Sequence, residues 1–157
     1  MCPCRIGAFT SADLPALTQL FRGYAASLSI DLGYQGFDAE LASLPGKYAP
    51  PAGALLIARD ANGEALGCVA MRPLDEPNLC EMKRLYVASE GRGRGLGKAL
   101  ALAILEAARA AGHREMRLDT LPTMHDAQAL YRALGFREVA PYYDTPMEGT
   151  VFMSLKL

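Results

Sequence analysis

The chain has 157 residues and a formal net charge of −1 at pH 7, with 51% hydrophobic and 21% charged residues. This length suits one domain with a substantial core, and the composition is that of a folded globular protein rather than a disordered one. The near-zero charge argues against broad binding to nucleic acid or to an acidic membrane, since either partner usually requires a large positive excess. Any basic patch must therefore be local.

The cysteines and histidines offer little material for a metal site. No CxxC pair or histidine cluster is present, so we expect no metal and reduced structural thiols, as in cytoplasm. The N-terminus lacks the pattern of a signal peptide, and the longest apolar stretch, 99–108, is too short to cross a bilayer. We therefore expect a cytoplasmic protein with no membrane partner.

The first half of the chain predicts a strand, two helices and a hairpin. Residues 4–9 resemble a short strand, and apolar residues recur at helical spacing through 11–28. A shorter helix is expected at 38–44, where a proline ends it. Two strand-like runs fill 54–74 and are joined by Asp-Ala-Asn-Gly at 60–63. An Asn-Gly pair between apolar runs is a strong hairpin signal.

The second half alternates strands with helices. A strand at 79–88 leads into a glycine-rich run and a helix that ends at Gly112, a good position for a left-handed C-cap. A strand at 115–121 and a helix at 125–136 follow, and FREVA and 150–157 close the chain as strands. The predicted order is β-α-α-β-β-β-α-β-α-β-β, a single α+β domain with one main mixed sheet.

The run GRGRGLGK at 91–98 is the most informative segment. Glycines at a helix start cost backbone entropy, so another property must compensate for them. The first amides of a helix have no partner within it, and the helix dipole adds about half a positive charge there. Glycines let an anion approach these amides, and two arginines and a lysine add charge. We therefore expect a phosphate site.

Three other glycine-rich motifs do not match this run. A Walker A loop requires Ser or Thr after its Gly-Lys pair, and Ala99 follows Lys98 here. The dinucleotide pattern G-x-G-x-x-G fails because neither Leu96 nor Lys98 is glycine. An Arg-Gly arm that binds RNA would be longer and would not fold into an apolar helix.

The pattern Arg/Gln-x-x-Gly-x-Gly/Ala, from Arg92 to Gly97, resembles the coenzyme A pyrophosphate loop of the GNAT acetyltransferase family. The similarity to this family extends to both sides of the loop, with the segments in the same order. These are the strand LCEMKRLYV before it, the helix after it and the later segment ALYRALGF. The resemblance covers roughly the last half of the chain, and the earlier element order also fits it. It implies a mixed central sheet flanked by helices, with acetyl-CoA as cosubstrate and no metal.

The resemblance also implies which residues hold coenzyme A. In this family the strand before the loop splays from its neighbour and binds the pantetheine arm through its main chain. A backbone N–H near Val87 would then meet the oxyanion. A plain central strand explains the apolar residues equally well, but it does not explain Glu81 and Lys83 within the run. The implied cofactor-binding residues are Leu85, Tyr86, Val87, Arg92, Gly93, Arg94, Gly95, Leu96, Gly97 and Lys98.

Glu81 is the candidate general base. It lies eleven residues before Arg92, the offset at which histone-type members carry a catalytic glutamate. An amine attacks a thioester only when it is neutral. Removing the proton from an ammonium group of pKa near 10.4 costs about 4 kcal/mol at neutral pH. A carboxylate in a cleft can take up that proton. The alternative is a structural carboxylate paired with Lys83 or Arg84.

Tyr131, in the pattern Tyr-x-x-x-Gly-Phe, corresponds to a tyrosine that can protonate the departing thiolate in family members. Its position on the apolar face of its helix also allows a structural role. Family members often carry an asparagine seven residues earlier that contacts coenzyme A. Here that position is Met124, a departure from the pattern, and His125 beside it is not assigned to the catalytic set.

Two segments with clustered aromatic and acidic residues, 31–38 and 140–149, correspond to those that shape the acceptor pocket in the family. Carboxylates beside tyrosines would suit a cationic amine. A role as solvated loop residues that close the core is equally open. The candidate acceptor-binding residues are Tyr34, Phe37, Tyr142 and Tyr143.

These residues together predict an N-acetyltransferase that passes an acetyl group from acetyl-CoA directly to an amine of a small molecule or a protein. The sequence offers no Cys-His pair of the kind that would suggest an acetyl-cysteine intermediate. Two alternatives stay open: a coenzyme A-binding sensor without catalysis, and a transferase for a longer acyl group. The expected partner is the amine substrate, with no nucleic acid, and the sequence leaves a homodimer open.

Overall fold

The computed structural model describes residues 4–28 and 36–157, which are organised around one seven-stranded sheet. The strand order is β1-β2-β3-β4-β5-β7-β6. Neighbouring strands are antiparallel except β4 and β5, which run parallel. The strands are β1 (Arg5–Ala8), β2 (Ala54–Arg59), β3 (Ala65–Pro73), β4 (Leu79–Val87), β5 (Glu115–Thr120), β6 (Arg137–Val139) and β7 (Val151–Lys156).

Four α-helices connect these strands within the described ranges. They follow the strands in the order β-α-α-β-β-β-α-β-α-β-β, so the predicted element order and the α+β class are confirmed. No helix in 4–28 or 36–157 combines the length and the apolar character that crossing a membrane requires. The helices are α1 (Leu14–Ser27), α2 (Phe37–Ala42), α3 (Leu96–Ala110) and α4 (His125–Ala133).

The turn between β2 and β3 forms as the Asn-Gly pair predicts. The carboxylate of Asp60 accepts hydrogen bonds from the backbone amides of Asn62 at 2.9 Å and Glu64 at 3.0 Å. Gly63 adopts a left-handed conformation with φ of 83°, which favours glycine. The hairpin therefore places β2 and β3 side by side, between β1 at the sheet edge and β4.

The core has two layers, one on each face of the sheet. Helices α3 and α4 cover one face, where Leu100, Ile104 and Tyr131 pack against Met116 and Leu118 of β5. Helices α1 and α2 cover the other face, with a second buried cluster that includes Leu17, Phe21, Phe37, Tyr48, Leu55, Ile57 and Cys68.

The cysteines only partly match the expectation of reduced thiols. Cys68 and Cys80 are buried free thiols. Cys4, by contrast, takes part in a disulfide bond, so the expectation is wrong for this residue.

The pairing between β4 and β5 is short and leaves a gap between the two strands. It covers Leu79 to Glu81 on β4 and Glu115 to Arg117 on β5, and beyond this point the two strands do not pair. Strand β4 also carries a bulge, because two residues, Arg84 and Leu85, oppose one residue of β3. A bulge bends a strand and increases its local twist. The sheet therefore opens between β4 and β5 from Glu81 onward.

Candidate active site

The loop between β4 and α3 presents unpaired backbone amides at the open end of this gap. The first hydrogen bond of α3 runs from the Ala99 amide to the Gly95 carbonyl at 3.1 Å, so the amides of Leu96, Gly97 and Lys98 precede the helical ladder. Gly93 and Gly95 have φ of 78° and 73°, which turn the chain into the helix. The arrangement is able to bind an anionic group, as the sequence predicts.

The other two glycines of the run serve different purposes. A Cβ added to Gly91 would lie 3.0 Å from the Leu66 Cβ and 3.1 Å from a Leu96 methyl carbon, so this residue is glycine because of packing. A Cβ added to Gly97 would have no neighbour nearer than 4.0 Å. The fold therefore does not explain the glycine at 97, whereas close approach of a ligand would explain it.

The cationic side chains of the loop are exposed and border these amides. Arg92, Arg94 and Lys98 all lie at the surface. The Arg92 guanidinium also donates to the carbonyl of Val87, at 3.3 Å, which ties the loop to the end of β4. The local positive patch expected from the sequence is thus attached to the end of the open strand.

The predicted binding strand carries its side chains on both faces of the sheet. Leu85 and Val87 pack with the core beneath α3. The Tyr86 ring lies on the other face, where it meets the ring of Tyr24 edge to face with centroids 6.3 Å apart. A Cβ added to Gly23 of α1 would lie 3.0 Å from the Tyr86 hydroxyl. The side chains anchor the strand to both layers, which holds its main-chain edge at the gap.

Glu81 lies at the point where β4 and β5 separate, and its side chain is 1% exposed. Its Oε1 accepts a hydrogen bond from Nε of Arg72, its cross-strand neighbour on β3, at 2.8 Å. Its Oε2 accepts one from the Tyr142 hydroxyl at 2.6 Å. The ion pair of Glu81 is therefore with Arg72, a partner that the sequence interpretation did not name.

Tyr142 is held between this carboxylate and a cation. The guanidinium carbon of Arg117 lies 5.4 Å from the centre of its ring, and the ring of Phe152 packs edge to face at 5.1 Å. Burial, with the nearby charge of Glu81, raises the pKa of Tyr142 well above its usual value. The phenol is therefore protonated at neutral pH and acts as a hydrogen-bond donor.

The remaining predicted acceptor residues lie in different surroundings. The Tyr143 hydroxyl donates to Oδ2 of Asp119 at 2.8 Å, and Tyr143 packs against Tyr142 with ring centroids 5.6 Å apart. Phe37 is 8% exposed and belongs to the core beneath α1 and α2, which places its ring in the interior. Tyr34 lies outside the described residues. The structure thus brings Tyr142 and Tyr143 together with Glu81 on one side of the sheet.

The bulge residue Arg84 has a buried ion pair that sequence reasoning missed. Its guanidinium donates two hydrogen bonds to the carboxylate of Glu40 on α2, at 2.9 and 3.0 Å. It also stacks over the rings of Tyr24 and Phe37 at 5.6 and 5.3 Å. Although burial opposes the charge, the hydrogen bonds that Arg84 donates to Glu40 raise the pKa of Arg84. Arg84 has φ of 61°, and the ion pair holds this unusual backbone in place.

A cavity of about 260 Å³ adjoins Glu81 on the face covered by α1 and α2. Its walls carry both signs of charge, and burial lowers the pKa of Lys83, which favours the neutral amine of that side chain. Two of its carboxylates, Glu40 and Glu81, are each paired with an arginine. The wall residues include Lys47, Tyr48, Arg72, Glu81, Lys83 and Asp144.

Tyr131 belongs to the opposite face of the sheet. It lies on α4, is 6% exposed and packs against Phe136 with ring centroids 5.8 Å apart. Burial raises the pKa of Tyr131, and the charge of Asp119 adds to this effect. Glu81 and Tyr131 therefore approach the region between β4 and β5 from its two faces.

Comparison with known proteins gives a consistent result. A sequence model described as the Acetyltransferase (GNAT) family matches residues 17–136. An uncharacterised N-acetyltransferase of Schizosaccharomyces pombe is 43% identical over 145 residues, which cover 92% of this chain and 89% of that protein.

Solved structures share the fold. An acetyltransferase of the GNAT family from Staphylococcus aureus has a TM-score of 0.80 at 19% identity and covers 98% of each chain. A phosphinothricin acetyltransferase from Sinorhizobium meliloti, solved with acetyl-CoA, has a TM-score of 0.73 at 22% identity, covering 99% of this chain and 89% of that one. From the matched residues and the identity to the yeast protein, the chain belongs to the acetyltransferase (GNAT) family and is an N-acetyltransferase.

Proposed function

We propose that the chain transfers an acetyl group from acetyl-CoA directly to an amine, with both substrates bound at once. The observation that carries this proposal is the gap between β4 and β5, which has the amides of 96–98 at its open end and Glu81 where the strands separate. From Glu81 to Val87 the strand extends about 20 Å at roughly 3.3 Å per residue. A ligand that reaches from one end to the other must be long and narrow, with an anion at its outer end.

The residues of this chain fit such a donor. The amides of Leu96, Gly97 and Lys98 would hold the diphosphate, with Arg92 and Arg94 beside it. The main chain of Leu85 to Val87 would hydrogen-bond the amide groups of the pantetheine arm, in the way a strand edge accepts a further strand. A backbone N–H near Val87 would stabilise negative charge on the thioester oxygen.

Glu81 would receive the proton that the attacking amine loses. Both of its carboxylate oxygens already accept hydrogen bonds, one of them from Tyr142. The Tyr142 oxygen has a lone pair that can take a proton from the amine, while its own proton passes to Oε2 of Glu81. Glu81 and Tyr142 would therefore act as one proton-accepting pair beside the cavity of about 260 Å³, which would receive the amine.

Tyr131 would assist departure of the thiol. Because its pKa lies above its usual value and a thiol has a pKa of about 8.5, complete transfer of the phenolic proton to the thiolate is unfavourable. A hydrogen bond from the phenol would still stabilise the departing thiolate, and solvent would supply the proton.

A panel of amines with acetyl-CoA, monitored by thiol release, tests this proposal. Small amines, amino acids and peptides should be compared, with wild type beside Glu81→Gln and Tyr131→Phe. We expect amine-dependent release that both variants slow. If no amine increases thiol release above the background of acetyl-CoA hydrolysis, the proposed reaction is wrong. A parallel series with longer acyl-CoA donors measures the preference for acetyl.

A further inference from the structure

Thr120, the last residue of β5, has a buried hydroxyl that lacks a hydrogen bond. The residue is 5% exposed, and its Oγ1 has no hydrogen-bond partner among the described residues. Buried hydroxyl groups in folded proteins are almost always paired, because an unpaired one has lost its water without compensation. The described residues therefore leave the hydroxyl of Thr120 without a partner.

The position of Thr120 indicates where that partner lies. On one side β5 continues to pair with β7, where Thr120 is opposite Val151. On the other side the pairing with β4 ends at Arg117, so Thr120 lies past the point where the strands separate. This part of β5 borders the gap in which the donor is proposed to bind.

The alternation of side chains along β5 places Thr120 on the same face as Met116 and Leu118. These two residues pack in the core beneath α3 and α4, which also contains Tyr131. The hydroxyl therefore lies on the face of the sheet that carries Tyr131, opposite the face of the Glu81 cavity. Because Thr120 is 5% exposed, a polar ligand atom that reached its hydroxyl would form a hydrogen bond shielded from water.

A second buried atom without a partner lies away from the gap. Nδ1 of His113 also lacks a partner within the described ranges. His113 precedes β5, at the strand's other end, and its Nε2 already lies 2.8 Å from the carbonyl of Ala52. It is remote from the gap, whereas Thr120 borders it.

The chain also lacks a polar side chain at a nearby position where one is expected. Met124, four residues after Thr120, stands where the family pattern has an asparagine that contacts coenzyme A. Its backbone amide donates to the carbonyl of Leu121 at 3.1 Å, within the turn that follows Thr120 and leads into α4. A thioether does not replace the two donors and the strong acceptor of an amide.

We propose that Thr120 is a donor-binding residue whose hydroxyl hydrogen-bonds an amide group of the pantetheine arm of acetyl-CoA. This inference rests on the proposed function, since it requires acetyl-CoA to lie between β4 and β5. A hydroxyl both donates and accepts, so it can pair with either the carbonyl or the N–H of such an amide. The contact would satisfy a hydroxyl that residues 4–28 and 36–157 leave unpaired, and it would supply polarity that Met124 does not provide.

Thr120→Val, which keeps the shape and removes the hydroxyl, tests the inference with two measurements. Without ligand, the melting temperature should be unchanged or higher, because an unpaired buried hydroxyl is replaced by a methyl group and Val suits a strand. Calorimetry should show acetyl-CoA binding about three- to tenfold weaker, the loss of one hydrogen bond. Thr120→Ser, which restores a hydroxyl, should bind more tightly than the Val variant.

Thr150→Val is the matched control, since the Thr150 hydroxyl is already paired with the carbonyl of Met147 at 2.7 Å. It should lower the melting temperature and leave acetyl-CoA affinity unchanged. Wild-type affinity in Thr120→Val would overturn the inference. A lower ligand-free melting temperature in Thr120→Val, combined with binding by Thr120→Ser as weak as that of the Val variant, would also overturn it. If wild type itself fails to bind acetyl-CoA, the proposed function is wrong as well, which separates the two failures.

Discussion

The hydroxyl of Tyr142 donates a 2.6 Å hydrogen bond to the carboxylate of Glu81, across 61 residues of sequence. This contact joins the loop between β6 and β7 to the point where β4 and β5 separate. Arg72 binds the other oxygen of the same carboxylate at 2.8 Å. The orientation of the candidate base is therefore fixed by one neighbour within the sheet and one from the loop that borders the cavity.

The first prediction concerns Tyr142 and Glu81 as a pair. Glu81→Gln should lower kcat by roughly 10²-fold or more, since a positioned general base typically contributes 10² to 10⁴. Tyr142→Phe should lower kcat by a comparable order, because the proton then has no bonded route to the carboxylate. The double variant should be little slower than the worse single variant, as expected of residues that act as a unit. Steady-state kinetics with a good amine measures all three.

Tyr143→Phe is the control for this pair, since Tyr143 donates to Asp119 rather than to Glu81. It should alter kcat far less than Tyr142→Phe. A Tyr142→Phe enzyme with wild-type kcat, and with a wild-type pH profile, would show that the phenol only positions the loop.

The second prediction concerns the buried pair of Arg84 and Glu40. Arg84 is 2% exposed, and Glu40→Gln removes the negative charge that its buried guanidinium contacts through two hydrogen bonds. We expect a loss of about 3 kcal/mol in the free energy of unfolding, in line with broken buried ion pairs. Urea denaturation measures this loss.

The pair of Arg109 and Glu106 offers the matched control on α3. Its side chains are 44% and 75% exposed, and surface pairs of this kind contribute little. Glu106→Gln should therefore change stability by less than about 0.5 kcal/mol. Equal effects of the two substitutions would mean that the Glu40 pair does not hold the bulge.

The sequence was sufficient for the fold because local patterns and tertiary structure agree. The Asn-Gly turn, the glycine helix ends and the strand runs predict each α-helix and β-strand of the described residues in its order, and observed bounds differ by only a few residues. Gly112 and Gly135 have φ of 91° and 103°, as expected for residues that end helices. Each of these signals depends on a few neighbouring residues, so it can be read from one amino-acid sequence.

The surroundings of the candidate site could be predicted only in part. Glu81 and Tyr142 belong to segments that were each singled out, but their hydrogen bond depends on how the loop after β6 folds over the sheet. Residues 83 and 84 of its own strand were the partners of Glu81 that the sequence suggested, and the pairing with Arg72 depends on the register between β3 and β4. The bulge at Arg84 has no local signature, since it is held by a glutamate 44 residues away. Long-range pairing of this kind follows from register and burial.

The third prediction separates two glycines of the loop. Gly91→Ala should destabilise the protein by about 1–3 kcal/mol, because its Cβ would meet Leu66 and Leu96 at 3.0 and 3.1 Å. Gly97→Ala should stabilise the ligand-free protein by up to about 1 kcal/mol, since Ala is the better helix residue and the site is open. The same Gly97→Ala change should weaken acetyl-CoA binding, because its methyl group would lie beside the amides that face the diphosphate.

Thermal denaturation and calorimetry check both glycine variants. The two effects of Gly97→Ala have opposite signs, which a purely structural glycine does not produce. Unchanged acetyl-CoA affinity in Gly97→Ala would remove the argument that position 97 is kept bare for the ligand.

The fourth prediction is that no cysteine carries the acetyl group. Burial, and then the charge of Glu81, raises the pKa of Cys80 to about 12. At pH 8 only about one thiol in 10⁴ would then be a thiolate, the form that attacks a thioester.

Incubation with acetyl-CoA in the absence of an amine should leave the intact protein mass unchanged, and Cys80→Ala should keep a wild-type-like kcat once its stability is allowed for. Iodoacetamide should modify Cys80 in urea and spare it in the native protein. An acetylated Cys80 peptide that formed and decayed at the rate of turnover would replace direct transfer with a two-step route, because the amine would then attack the enzyme thioester instead of acetyl-CoA.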